Sequence, residues 1–225
     1  MRVKLPLNKK TKYILLVILI FIAIGIFFKE RNENLNEVKS KDEIEQKEIK
    51  EQISDSKKIN EEKDKKFDIE YDKAYNAFFG KDYIKAINIA TSIIEINSDY
   101  YKAYSIRGIA KAYNGDYEAG MKDINKSLEI KNDYGYGRFN KALNYELYGY
   151  YNEALEWYHK ALEVEDYVWS YYGIASIYGR QGNVEESVKY LKKAIELDDG
   201  AKKEARTEKD FDPVRNYKEF QDLIK

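Results

Sequence analysis

The feature that most constrains this chain is that it repeats itself. Lys81-Asp82-Tyr83-Ile84-Lys85-Ala86-Ile87 recurs as Gly115-Asp116-Tyr117-Glu118-Ala119-Gly120-Met121, as Gly149-Tyr150-Tyr151-Asn152-Glu153-Ala154-Leu155 and as Gly182-Asn183-Val184-Glu185-Glu186-Ser187-Val188, with starts 34, 34 and 33 residues apart. A second landmark follows each: Ile93-Ile94-Glu95-Ile96, Ser127-Leu128-Glu129-Ile130, Ala161-Leu162-Glu163-Val164 and Ala194-Ile195-Glu196-Leu197. Two landmarks in one register through four units describe a stacked array, in which each unit buries its apolar face against its neighbour. The chain has 2 prolines and 12 glycines beside 22 tyrosines, which predicts long helices packed through aromatic rings and an all-α fold.

The pattern resembles the tetratricopeptide repeat, a pair of antiparallel helices with small residues where the two cross. Ala74, Gly108, Ala142 and Ala175 fill the small position of the first helices, and Ala86, Gly120, Ala154 and Ser187 that of the second. The resemblance implies a right-handed superhelical solenoid of four helix pairs, at 67–100, 101–134, 135–167 and 168–201. The segment 202–225, with Phe211-Asp212-Pro213-Val214-Arg215 and Phe220-Gln221-Asp222-Leu223-Ile224, is expected to cap it. Two departures stand out. Ser98, Asn132, Asp166 and Asp199 replace the usual proline after the second helix, which keeps a break between repeats because these residues favour turns and caps. Repeat one has Gly80-Lys81 where the other three place glycine second.

Upstream, residues 13–28 read YILLVILIFIAIGIFF, sixteen apolar residues between Lys12 and Lys29. At ~1.5 Å per residue they cover roughly 24 Å, which predicts a single transmembrane anchor if flanking lysines snorkel. A cleaved leader is the rival reading, but the end of the run has no pair of small residues for a peptidase. The basic segment 1–12, with Arg2, Lys4, Lys9, Lys10 and Lys12 and no acid, predicts a cytoplasmic amino terminus and a repeat domain outside the cytoplasm, the reverse orientation being the alternative. Residues 29–66 carry many charges, no aromatic residue and scattered aliphatics, the composition of a solvated, partly helical spacer.

Much chemistry is excluded. With zero cysteines and one histidine, His159, thiolate nucleophiles and cysteine-ligated metals are impossible and other transition-metal sites are hard to build. No glycine-rich phosphate loop, serine elbow or His-Glu pair occurs. No catalytic residue, metal or small-molecule cofactor is expected. Residues 67–225 hold 23 Lys/Arg against 28 Asp/Glu, a net of −5, which repels phosphate and argues against nucleic acid.

What remains is a surface. In the family that the repeats resemble, the second, fifth, ninth, twelfth and thirteenth places of each first helix tend to face a concave groove. Here these places include Tyr71, Tyr75, Phe78 and Phe79 in repeat one and Tyr113 in repeat two. Repeats three and four supply Tyr136, Phe139, Leu143, Trp169 and Tyr172. Each ring could serve inter-repeat packing, yet so many on one face fit capture of a peptide or a partner helix. The family's carboxylate-gripping lysine and asparagine are absent from the places held by Tyr71 and Tyr75, or by Ser105 and Ile109. The expected function is a membrane-anchored protein–protein interaction scaffold that is not an enzyme. The alternative is an accessory subunit or enzyme of the cell envelope binding glycan or peptide, with Glu146 or Asp68 as the acid. The tail could also fill part of the groove.

Overall fold

A computed structural model describes residues 15, 16, 18–27, 29, 31, 47 and 65–225. The chain divides into two units, 1–63 and 64–225. In the first, residues 18–27 are helical, with exposed apolar side chains such as Leu19, Phe21 and Ile26. No helix among the described residues is long and apolar enough to cross a membrane. The expectation of a single-pass membrane protein anchored through 13–28 is thereby overturned, and the topology built on it falls too. The cause is length: an apolar run of sixteen residues is already short of a bilayer. Segment 1–12 lies outside the described residues, as does the spacer 29–66 apart from Lys29, Arg31, Lys47, Lys65 and Lys66.

The second unit is built from helix pairs. They are α1 (65–79) with α2 (Tyr83–Ile96), α3 (Tyr101–Tyr113) with α4 (Tyr117–Ile130), α5 (Gly135–Leu147) with α6 (Tyr151–Leu162), and α7 (Val168–Arg180) with α8 (Val184–Leu197). A short α9 (Gly200–Ala205), a 3-10 turn at Lys209–Phe211 and α10 (Lys218–Ile224) follow. The described residues contain no strand.

The repeated seven-residue motif sits at the turn of each pair. Asp82, Asp116 and Asn183 open α2, α4 and α8 by accepting the backbone N–H of Lys85, Ala119 and Glu186 at 3.1, 3.0 and 3.2 Å, which satisfies donors that a helix start leaves open. The residue just before each cap, or before Tyr150 in the third pair, has a left-handed backbone: Lys81 (φ 62°), Gly115 (95°), Gly149 (81°) and Gly182 (71°). Glycine adopts this region freely, whereas a residue with a Cβ is strained there by ~1 kcal/mol or more. Repeat one therefore bends at Lys81, and Gly80 is not its left-handed residue.

The small columns lie where the helices cross. Ala74, Ala86, Ala142, Ala154, Ala175 and Ser187 have no exposed surface. A Cβ on Gly108 would stand 2.8 Å from the Gly120 carbonyl oxygen, and one on Gly120 would stand 2.7 Å from that of Gly108, so α3 and α4 meet backbone to backbone. In the fourth pair the Ser187 hydroxyl donates to the Ala175 carbonyl at 3.0 Å. The core changes character along the array. Around α1 to α3 it consists largely of alanine and isoleucine, and around α5 to α7 it takes in Phe139 and Tyr158. Under α7 and α8 it holds Leu191 with Phe211, Val214 and Phe220 of the tail.

Candidate partner-binding groove

The first helices of the pairs enclose a cavity of about 360 Å³. Phe78 and Phe79 reach it from α1 and Tyr113 from α3. Tyr136, Phe139 and Leu143 line it from α5, and Trp169 and Tyr172 from α7. Phe79 and Tyr113 keep much of their surface exposed, whereas Phe78 and Phe139 are each only 8% exposed and belong to the core as well. Tyr71 and Tyr75 do not line the cavity. They pack at its α1 end, where the Tyr75 ring lies 6.1 Å from Tyr71, 4.5 Å from Phe79 and 6.2 Å from Tyr136. The lining rings meet one another at similar range, Tyr136 to Phe139 at 5.7 Å and Trp169 to Tyr172 at 5.4 Å, distances at which edge and offset contacts are favourable.

Repeat arithmetic misses Tyr158 and Tyr167, both part of the lining, along with Glu208 and Asp210 of the tail. Tyr158 comes from a second helix, and its ring crosses to α7 because residue 173 is glycine: a Cβ there would fall 2.4 Å from the ring. That glycine is the one signal in the sequence that could have pointed to Tyr158. The tail arrives by the same device. A Cβ on Gly179 would stand 2.8 Å from the Phe211 ring and 2.9 Å from the Asp210 carbonyl. The tail thus closes the α7 end of the cavity through Glu208 and Asp210, while Phe211 goes into the core beneath Tyr172, ring centroids 5.6 Å apart.

These residues build a polar floor. Tyr158 Oη donates to Glu146 Oε2 at 2.5 Å. Ser176 Oγ lies 3.1 Å from Glu146 Oε1 and 2.7 Å from Asp210 Oδ2, and Arg180 pairs with Asp210 Oδ1 at 2.7 Å. The single Ser176 hydroxyl proton is shared between the two carboxyls, Asp210 being the nearer acceptor. Burial pushes the Glu146 carboxyl above the usual range, and the charge of Asp210 adds to the effect against the hydroxyl donors and Arg180. Burial, with Glu146 nearby, also pushes Tyr113 up to about 12. Ser176 thus bridges the two carboxyls.

Asp68, the other acid singled out in the sequence, sits elsewhere. It accepts Tyr100 Oη at 2.6 Å and Lys102 Nζ at 2.8 Å. Burial raises its carboxyl, but those donors outweigh that and hold it below the ordinary value. His159 faces the ring of Tyr190, centroids 5.8 Å apart.

Fold and groove together define a class, an array of helical hairpins whose first helices enclose an aromatic cavity. Residues 170–200 match the family model for the tetratricopeptide repeat. TPR repeat-containing protein MJ1428 of Methanocaldococcus jannaschii is 28% identical over 117 residues, 52% of this chain and 20% of that protein. Uncharacterized protein MJ0572 of the same organism is 35% identical over 69 residues, 31% of this chain and 76% of that protein. The chain thus spans a fifth of one of these relatives and about three quarters of the other. Among solved structures, that of TTC0263, a thermophilic TPR protein in Thermus thermophilus, superposes with a TM-score of 0.55 at 18% identity, covering 69% of this chain and 79% of that one. Residues 170–200 thus match the tetratricopeptide repeat, and the likeness to TTC0263 shows the same fold for the array.

Proposed function

We propose that the chain is a non-catalytic interaction scaffold that holds a protein partner, as a peptide or a helix, in the cavity between its first helices. The observation that supports this reading is the cavity lining: rings from four successive first helices, rimmed by the exposed Phe79 and Tyr113. Aromatic rings offer large contact area at small entropic cost, and a face made by several repeats suits an extended ligand.

The test uses peptides selected from a random 12-residue display library on the full chain. Trp169 is the cleaner probe, because it lines the cavity and is only half-buried at the edge of the core, whereas Phe139→Ala would cost more stability. Trp169→Ala is expected to weaken the selected peptides at least tenfold with thermal unfolding nearly unchanged, and Trp157→Ala, outside the cavity, to leave binding intact. Equal binding by Trp169→Ala and the parent chain would sink the groove reading.

A further inference from the structure

The cavity is aromatic, but it is not neutral. Its charged lining residues are Glu146, Glu208 and Asp210, with no lysine or arginine among them. Asp210 is matched by Arg180 from outside the lining. Glu146 takes its hydrogen bonds from the hydroxyls of Tyr158 and Ser176. A partner entering this space meets ring faces and acids, which is the complement of a cation.

The protein shows elsewhere how it treats a lysine in such surroundings. Lys102 pairs with Asp68 at 2.8 Å while its ammonium stands 5.8 Å from the Tyr71 ring centroid and 5.9 Å from that of Tyr100. Lys160 pairs with Glu156 and stands 4.4 Å from the Trp157 ring centroid. Both arrangements combine one carboxylate with aromatic faces around a lysine of the chain itself. The cavity offers the same chemistry, with Glu146 as the acid and Tyr136, Trp169 and Tyr172 among the rings.

Resting on the groove reading above, we propose that the cavity receives a lysine side chain of the partner peptide, its stem between the rings and its ammonium at the Glu146 carboxyl. Transfer of an ammonium ion out of water is costly unless a counter-charge and further contacts meet it, and this site provides both. The buried Glu146 gives up its proton to solvent as the cation enters, so affinity rises with pH above the ordinary glutamate range. Of the ionisable groups around it, Tyr113 of α3 and Tyr158 of α6 stay protonated, Asp210 of the tail is paired with Arg180 of α7, and Glu208, the remaining acid of the lining, is told apart by its own variant below.

The probe is N-acetyl-Leu-Lys-Leu-amide, compared with counterparts carrying norleucine or glutamate at the centre. The full chain is labelled with 5-fluorotryptophan, so that fluorine resonances report Trp169 in the cavity and Trp157 outside it. The lysine peptide is expected to shift Trp169 saturably and to leave Trp157 in place. It should bind at least tenfold more tightly than the norleucine peptide, and the glutamate peptide should not bind. Glu146→Gln should remove most of that preference and its pH dependence, and Glu208→Gln, near the cavity end, should reduce it in part even if the first variant folds poorly. Equal affinity of the lysine and norleucine peptides overturns this inference and leaves the groove reading standing. If library-selected peptides also leave the Trp169 resonance unmoved, the groove reading falls as well.

Discussion

Two glycines with no room for a side chain do different things in this molecule. Gly108 lets the backbones of α3 and α4 touch, with the Gly120 carbonyl where a Cβ would be. Gly173 admits the ring of Tyr158, whose hydroxyl reaches Glu146 at 2.5 Å. The first crossing is aliphatic and serves the fold. The second delivers a polar group into the cavity. A glycine in a helical repeat is therefore read by what occupies its missing Cβ: a backbone carbonyl signals closure of a pair, and a ring signals a side chain aimed elsewhere.

The sharpest way to break that comparison is Gly108→Val. Backbone cannot yield as a side chain does, so the variant should lose about 3 kcal/mol, and its melting temperature should fall by roughly 6–12 °C. Gly173→Ala should cost less, about 2 kcal/mol, because the Tyr158 ring can shift. It should also move the cavity's Trp169 resonance, which Gly108→Val, if still folded, should leave near its parent position. Equal melting losses with equal spectral effects would erase the distinction between the two sites.

A smaller effect separates the turns. Lys81 occupies the left-handed backbone position that glycine holds in the other three pairs, so Lys81→Gly should stabilise the chain by about 1 kcal/mol and Gly115→Ala should destabilise it by a similar amount, both measured by denaturant unfolding. Opposite signs are the point, and two losses would refute the strain at Lys81.

The smallest effect is a slope with pH. Glu146 has a raised carboxyl in the folded state, so the folded protein holds the more protons and this residue's contribution is fully present below the unfolded value near 4.5. It is lost as pH rises through the folded value. Glu146→Gln imitates the protonated acid, so the parent chain should lose stability relative to the variant over that interval. Subtracting the two unfolding curves removes contributions shared with other carboxylates. A parent that gains on the variant as pH rises would reverse the assignment.

The parts legible in sequence are those that repetition itself fixes. Ala142 and Ala175 could be placed at crossings because every pair needs a small residue there. The ring positions Tyr136, Trp169 and Tyr172 follow from the same register, and Glu146 was visible as an acid on that face. Asp210 and Glu208 were not, since they lie beyond the last repeat and reach the cavity only through a 3-10 turn that Glu208 itself caps, accepting the Asp210 N–H at 3.4 Å. Nor does the repeat register show a second-helix tyrosine crossing to the next pair. The length of residues 13–28 misled for a related reason: a run of apolar letters has no period that could have corrected its reading.

The tail carries two assignments at once. Phe211 and Phe220 cover the apolar sides of α7 and α8, while Glu208 and Asp210, on the same short segment, form a wall of the cavity. Another hairpin could not stack on α8 without lifting that segment away, and lifting it would take two of the three acids out of the cavity. Lengthening this solenoid and reshaping its cavity are one operation, so an engineer who adds a repeat must also rebuild the cavity's end wall.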